Sequence, residues 1–290
     1  MNTFPMRSVR PPMRLLLLLL LTASPLALAS KPEGPQLLGP RSQAPVRRVV
    51  TLAPSLTEMV LALGAGERLV GVSRFDTARE TAALPRVGGF TDPSVEAVVA
   101  LKPDLVLVFP GPGNRRPVEK MAQLGLRVLV LPLHTVQDTL AAMRAVGRAL
   151  GRAPQAEALI ARIERTRARV RADAAKAKRP PRVLFVYGFE PLVVAGPGSF
   201  ADELLRDAGA VNIAADAGTA YPVYSAERAV VARPDVVIDA ADVDVGKEKF
   251  RHLPGLREAR WVQVPTQALL QPGPSLGRGL EELYALLYPN

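Results

Sequence analysis

SVEAVVALKPDLVLV, residues 94 to 108, and SAERAVVARPDVVID, residues 225 to 239, together decide the fold. Ser94, Glu96, Lys102, Pro103 and Asp104 correspond to Ser225, Glu227, Arg233, Pro234 and Asp235, each displaced by 131 positions, so the chain carries an internal duplication. In each copy a Ser stands at the N-cap of a short Ala/Val/Leu helix, Glu follows in the first turn, and Pro-Asp leads into an apolar run. A run of four or five apolar residues between helical patterns suits a strand of a parallel sheet covered on both faces. Two such units predict two α/β lobes. On the bare sequence, Glu96 and Glu227 complement the positive ends of their helix dipoles.

Outward from the first copy, VRRVVTL (from Val46), a helix, LVGV (near Val70), a helix at Val118 to Leu124 and RVLVL (Arg127 to Leu131) alternate α and β. That alternation indicates a mainly parallel sheet in a first lobe over residues 46–150. Ser55-Leu56-Thr57-Glu58 reads as a capping box, with Ser55 as N-cap. Pro154 opens a long helical pattern with an apolar stripe at Leu159, Ile160, Ile163 and Val170, and Pro180-Pro181 closes it. About 25 residues at about 1.5 Å each would reach from one lobe to the other. Residues 151–180 are therefore expected to be a single linking helix, stiff enough to let the lobes rock but not clamp. The second lobe, residues 181–290, repeats the grammar with RVLFVY, PLVVA and a helix opened by Ser199.

Export is written at the start of the chain. Arg7, Arg10 and Arg14 precede an unbroken Leu15 to Leu21 run, and Ala27-Leu28-Ala29 precedes Ser30. This is the order of a cleaved secretory signal peptide over residues 1–29, and the apolar stretch is shorter than the roughly 20 residues that span a bilayer. Residues 30–45, rich in Pro, Gly, Ser and Gln, are expected to be a disordered lead-in. The chain has no Cys, so no lipid can be attached to an N-terminal cysteine, and a free periplasmic monomer is expected. The net charge of +10 is concentrated between Arg148 and Arg182, where 11 Lys/Arg meet 3 Asp/Glu. That segment carries no aromatic residue for base stacking, so it reads as a solvated helix face, and no nucleic-acid partner is expected.

Open α/β sheets bind ligands beyond the carboxyl ends of their strands. Seven aromatic residues fall in or beside such loops: Phe75, Phe90, Phe109, Tyr187, Phe189, Tyr221 and Tyr224. Together, on both lobes, they would wall a cleft for a large flat ligand. Catalytic signatures are missing from the sequence. His134 and His252 show no metal-ligand spacing, no G-x-S-x-G occurs, and the Gly-rich loops lack a phosphate-loop ending.

The run RVVTLAPSLTEMVLALGAGERLVGVSRFD, followed by LPRVGGFTDPSVEAVVALKPDLVLV, resembles the substrate-binding proteins of the ABC importers for cobalamin, haem and iron-siderophores. It is most similar to the cobalamin-binding branch. The resemblance implies two lobes joined by one long helix, an aromatic-lined cleft with Phe75, Phe90, Phe109 and Tyr221 at the motif positions, and no chemistry on the ligand. Cobalamin would be cargo, with no resident cofactor or metal. Where cobalamin binders tend to carry Trp, this chain has Phe90, Phe109 and Tyr221. The haem branch places an axial Tyr where this chain has Gly89, although Tyr187 or Tyr221 could serve, and Arg74, Arg115 and Arg116 could hold an anionic siderophore. In this family one Glu on each lobe docks on the permease, which gives Glu96 and Glu227 a second role against a dimeric inner-membrane partner.

Overall fold

The fold follows from a computed structural model that describes residues 34–111 and 113–289. The signal peptide expected over residues 1–29 lies outside the described residues.

The first lobe runs β1 (Gln36–Leu38), β2 (Val49–Thr51), α1 (Pro54–Ala62), β3 (Leu69–Gly71), α2 (Val95–Ala100), β4 (Leu105–Val108), α3 (Arg115–Gln123), β5 (Val128–Val130) and α4 (Val136–Ala149). Then α5 (Ala153–Ala174) leads to the second lobe: β6 (Arg182–Phe189), β7 (Leu192–Val194), α6 (Phe200–Asp207), β8 (Val211–Asn212), α7 (Ala226–Ala232), β9 (Val236–Asp239), α8 (Lys247–Arg251), β10 (Arg260–Gln263) and α9 (Leu276–Leu287). The first sheet has the order β1-β5-β4-β2-β3, and only β1 is antiparallel. The second has the order β10-β9-β6-β7, with β8 also on β6 and only β7 antiparallel. The mainly parallel sheets and the single long helix between the lobes are as the sequence implies.

The two copies of the duplicated unit agree down to single bonds. Ser94 Oγ accepts from the Ala97 amide and Ser225 Oγ from the Arg228 amide, both at 3.2 Å, so each serine is an N-cap. A cap of this kind contributes about 1 kcal/mol. Lys102 and Arg233 both take φ = 45°, a left-handed turn that stops each helix. Asp104 then accepts from the Arg48 amide at 2.8 Å, and Asp235 from the Arg182 amide at 2.7 Å. The guanidinium of Arg48 donates to the Leu101 carbonyl (2.7 Å), and that of Arg182 to the Ala232 carbonyl (2.9 Å), closing the helix ends. The strands that follow, LVLV and VVID, are buried at every position.

Three expectations need correction. Helix α1 begins earlier than the Ser55 capping box predicts: Ala53 is the N-cap without a side-chain bond, Pro54 occupies the first turn, and Ser55 is inside the helix. A proline at the first helical position already has the required φ and lacks only an amide that would be unbonded there. The lead-in is not wholly without structure, because Gln36, Leu37 and Leu38 pair with Val130, Leu129 and Val128 on the free edge of β5. The linking helix is shorter than drawn, ending at Ala174.

Helix α5 is held to both lobes. Gly147 of α4 lets it approach closely: a Cβ there would lie 2.6 Å from Ala156 Cβ. On the other side Arg167 Nε donates to Asp207 Oδ2 of α6 at 2.6 Å, with both side chains buried. Arg171 shares the same carboxylate, and Arg169 pairs with Glu281 of α9. Much of the basic excess of this segment is therefore engaged in ion pairs.

Candidate functional site

Phe75 follows β3, Phe90 lies in the loop before α2, Phe109 follows β4, Tyr187 is near the end of β6, and Tyr221 lies in the loop before α7. These are strand exits or their neighbouring loops, where an open parallel sheet presents ligands to its loops. In the first lobe Phe90 and Phe109 meet edge to face with centroids 5.8 Å apart, and His134, just beyond β5, lies 5.5 Å from Phe109. Asn114 fixes this wall by donating from one amide nitrogen to the carbonyls of both Phe90 and Phe109. In the second lobe Tyr187 and Tyr221 meet edge to face at 5.6 Å. Phe75 and Tyr221 are 51% and 53% exposed, which leaves ring surface open to a ligand.

Not every aromatic residue goes to these walls. Tyr187 contacts Phe185, whereas Phe189 turns to the opposite face of the sheet and packs against Phe250 and Trp261, at 5.7 and 6.0 Å. The cause is a register shift between β6 and β7 at Val186/Gly188, which breaks the alternation of faces along the strand. Tyr224 is buried in the same second-lobe core, and its hydroxyl donates to the Ile213 carbonyl at 3.1 Å. Phe189 and Tyr224 are thus core residues, against the expectation that they wall the cleft.

A cavity of about 540 Å³ lies between the lobes. Thr57 and Glu58 of α1, then Phe75 and Asp76, form its first-lobe side, and Gln267, Gln271, Ser275 and Arg278 form its second-lobe side. Among the described residues, Phe75 is the one aromatic side chain in its lining. Glu58 accepts from Ser275 Oγ at 3.3 Å across the lobes. Burial pushes the Glu58 and Asp76 carboxyls above their ordinary values, against the opposing effect of hydrogen bonds from Ser275 and from Thr57 and Ser73. Asp76 Oδ2 is buried without a partner among the described residues. Burial likewise raises the phenol pKa of Tyr187, with the neighbouring Tyr221 adding to it, and raises that of Tyr221. Both hydroxyls therefore stay protonated at neutral pH.

The first-lobe cavity wall came partly within reach of the sequence. The Gln267, Gln271 and Arg278 side did not, because it sits in an irregular stretch with no periodic signal. The sequence shows no metal-ligand spacing at His134 and assigns it no other role, although its place just after a strand is the signal that points to this wall. Among the described residues no group of three His, Cys, Asp or Glu could hold a metal ion, and no helix is long and apolar enough to cross a membrane.

Two further placements bear on the ligand. A Cβ at Gly89 would lie 2.6 Å from Phe75 Cε2, so the Phe75 ring fills the space that any side chain at position 89 would need. Arg74 is engaged by Asp92 and lies 5.3 Å from the Phe75 centroid, and Arg115 pairs with Glu119 at 2.8 Å. Outside the cleft, Glu96 and Glu227 are both exposed on their helices, and the Ser225 hydroxyl donates to Glu227, which lowers the Glu227 pKa.

Known proteins are similar to this chain in sequence and fold. The vitamin B12-binding protein of Salmonella typhimurium is 31% identical over 195 residues, covering 67% of this chain and 72% of that one. The apo form of the periplasmic heme-binding protein RhuT from Roseiflexus sp. RS-1 superimposes with a TM-score of 0.74 at 30% identity, over 84% of this chain and 98% of that one. The periplasmic vitamin B12 binding protein BtuF of Vibrio cholerae gives a TM-score of 0.71 at 23% identity, over 84% and 97%, and so speaks to the fold alone. The profile of one family, described as periplasmic binding protein, matches residues 49–260, from the first central strand of one lobe to the edge strand of the other. With that match over most of its length, the chain belongs to the periplasmic binding protein family.

Proposed function

We propose that this chain captures cobalamin or a related corrinoid between its lobes in the periplasm and delivers it, chemically unchanged, to an ABC importer. The observation that carries this reading is the set of aromatic rings at strand exits on both lobes, the Phe90–Phe109 pair with Phe75 on one and the Tyr187–Tyr221 pair on the other. Partly exposed rings of this kind suit a broad ligand with an apolar edge. Support for a corrinoid comes from the relative named as a vitamin B12-binding protein. Glu96 and Glu227, one per lobe and exposed, are the docking points for a dimeric permease.

A haem-binding reading is supported by several heme-binding neighbours at 29 to 30% identity. Against it stand Gly89, whose side-chain space is taken by Phe75, and the raised phenol pKa values of Tyr187 and Tyr221, which disfavour a phenolate ligand to iron. Titration calorimetry with cyanocobalamin, haem and a ferric siderophore separates the readings. One cyanocobalamin per chain, bound more tightly than the others and recovered unmodified, is the expected result. Preferential binding of haem or the siderophore overturns the corrinoid assignment, and turnover of any of them overturns the carrier role.

A further inference from the structure

Glu227 and Val231 are four residues apart on α7 and so stand on one face of the helix, one turn from each other. Val231 is 81% exposed. On one side of this ridge lies a groove of about 610 Å³, lined by Glu190, Val230, Lys249 and Leu253 as well as by the ridge residues themselves. On the other side is a second hollow of about 350 Å³, again lined by Glu227 and Val231 and bordered by Arg228, which is paired with Asp216. Val223, Val243 and Val245, in the segments flanking α7 and leading to α8, are also exposed, at 61 to 72%. A surface that reaches Glu227 must cover Val231 as well.

The duplicated unit supplies an internal control. Glu96 has the same place in the first lobe, and Val99 matches Val230, but the position matching Val231 is Ala100. The acid is duplicated; the protruding valine is not.

We propose that the Glu227–Val231 ridge and its groove form a mixed acidic and apolar docking surface for a permease segment that presents an apolar side chain beside an arginine or lysine. The inference rests on the docking role given to Glu96 and Glu227 above and adds to it an asymmetry. The choice of occupant follows from charge: Glu190 and Glu227 outnumber Lys249 around the groove, so a neutral or acidic segment leaves a carboxylate uncompensated, while a basic residue next to an apolar one satisfies both parts. The first lobe is gripped mainly through its charge, and the second through charge and apolar contact together. The second lobe is therefore the stronger anchor, and its contribution depends less on ionic strength.

The test uses the full-length protein in its native host, with p-benzoylphenylalanine placed at position 231 as photo-crosslinker. Attachment to a peptide of a polytopic inner-membrane protein, with Arg or Lys within a few residues of the attachment point, is the expected result. Attachment only to a second copy of this chain, to a peptide without a basic residue, or to nothing overturns the inference. In parallel, Val231→Ser and Ala100→Ser are compared with Glu96→Gln/Glu227→Gln for retention of the crosslinked permease in detergent. Val231→Ser should weaken binding about tenfold, about 1.4 kcal/mol, with the salt dependence unchanged, and Ala100→Ser should have no effect. If the glutamate variant weakens binding and Val231→Ser does not, the ridge is refuted and the docking glutamates stand. If neither does, the docking role itself falls.

Discussion

Glu58 and Ser275 join the two lobes through a hydrogen bond of 3.3 Å from the serine hydroxyl to the carboxylate, at the edge of the cavity between them. Together with Asp76 it makes stability depend on pH in a definite sense. Burial raises both carboxyl pKa values in the folded state, so between the ordinary carboxyl value of about 4 and the raised values the folded protein binds more protons than the unfolded chain. Stability is thus highest on the acid side of that window and falls as pH rises through it. The urea midpoint measured against pH should show this decline, and Asp76→Asn or Glu58→Gln should flatten it. An unaltered profile in both variants contradicts the assignment.

Asp207 is the fixed point between the linking helix and the second lobe, since it accepts from both Arg167 and Arg171. Removing it with Asp207→Ala leaves the buried Arg167 guanidinium with only the partly exposed Glu164 as an acidic partner, which costs about 3 kcal/mol. The double variant Asp207→Leu/Arg167→Met should recover most of that loss, because no charge remains buried. Urea unfolding of the three proteins gives the comparison.

Aromatic residues at the strand exits and in the second-lobe core should separate affinity from stability. Phe90→Ala or Tyr221→Ala is expected to weaken cyanocobalamin binding about tenfold, about 1.4 kcal/mol, with little loss of stability. Phe189→Ala should do the reverse, costing about 3 to 5 kcal/mol of stability from the second core and leaving the affinity of the folded protein intact. Calorimetry and thermal melts on the same three variants decide it.

Replacing both docking acids tests the transporter contact. Glu96→Gln/Glu227→Gln should keep its ligand affinity and bind the reconstituted permease at least about tenfold more weakly, because close interfacial charge pairs couple by roughly 1.5 to 7 kcal/mol. Wild-type binding should weaken as salt rises. Equal transporter binding by variant and wild type would leave the two residues as helix-dipole partners only.

The expectation that residues 1–29 are a cleaved signal peptide makes a prediction on mass alone. The protein recovered from the periplasm should begin at Ser30, and full-length chain held in membranes would refute this.

How much of this was legible in the sequence depended on how local each signal is. Ser-x-Glu, Pro-Asp and a four-residue apolar run act within one helix and one strand, and both copies fold as read. Pro54 was an equally local signal for the start of α1, stronger than the serine after it. The strand at Gln36–Leu38 was beyond sequence reading because it depends on an open edge contributed by β5, some 90 residues later. Phe189 was misplaced for a subtler reason. Alternation along β6 would put it on the face of Phe185 and Tyr187, and only the register shift at Gly188 reverses it. Of the cleft, the aromatic side was legible because rings after strands are a recognisable pattern, whereas Gln267, Gln271 and Arg278 come together with α1 only through the packing of α9 against α5.

The linking helix has a consequence for traffic at the membrane. A carrier whose halves are fastened to one rigid strut keeps much the same outline whether laden or vacant. On the proposed function, both forms would then queue for the same entrance, and a vacant carrier would be a competitor of a laden one. Uptake at scarce cargo would accordingly peak at an intermediate abundance of this protein and decline when it is overproduced, as surplus empty molecules occupy the gate.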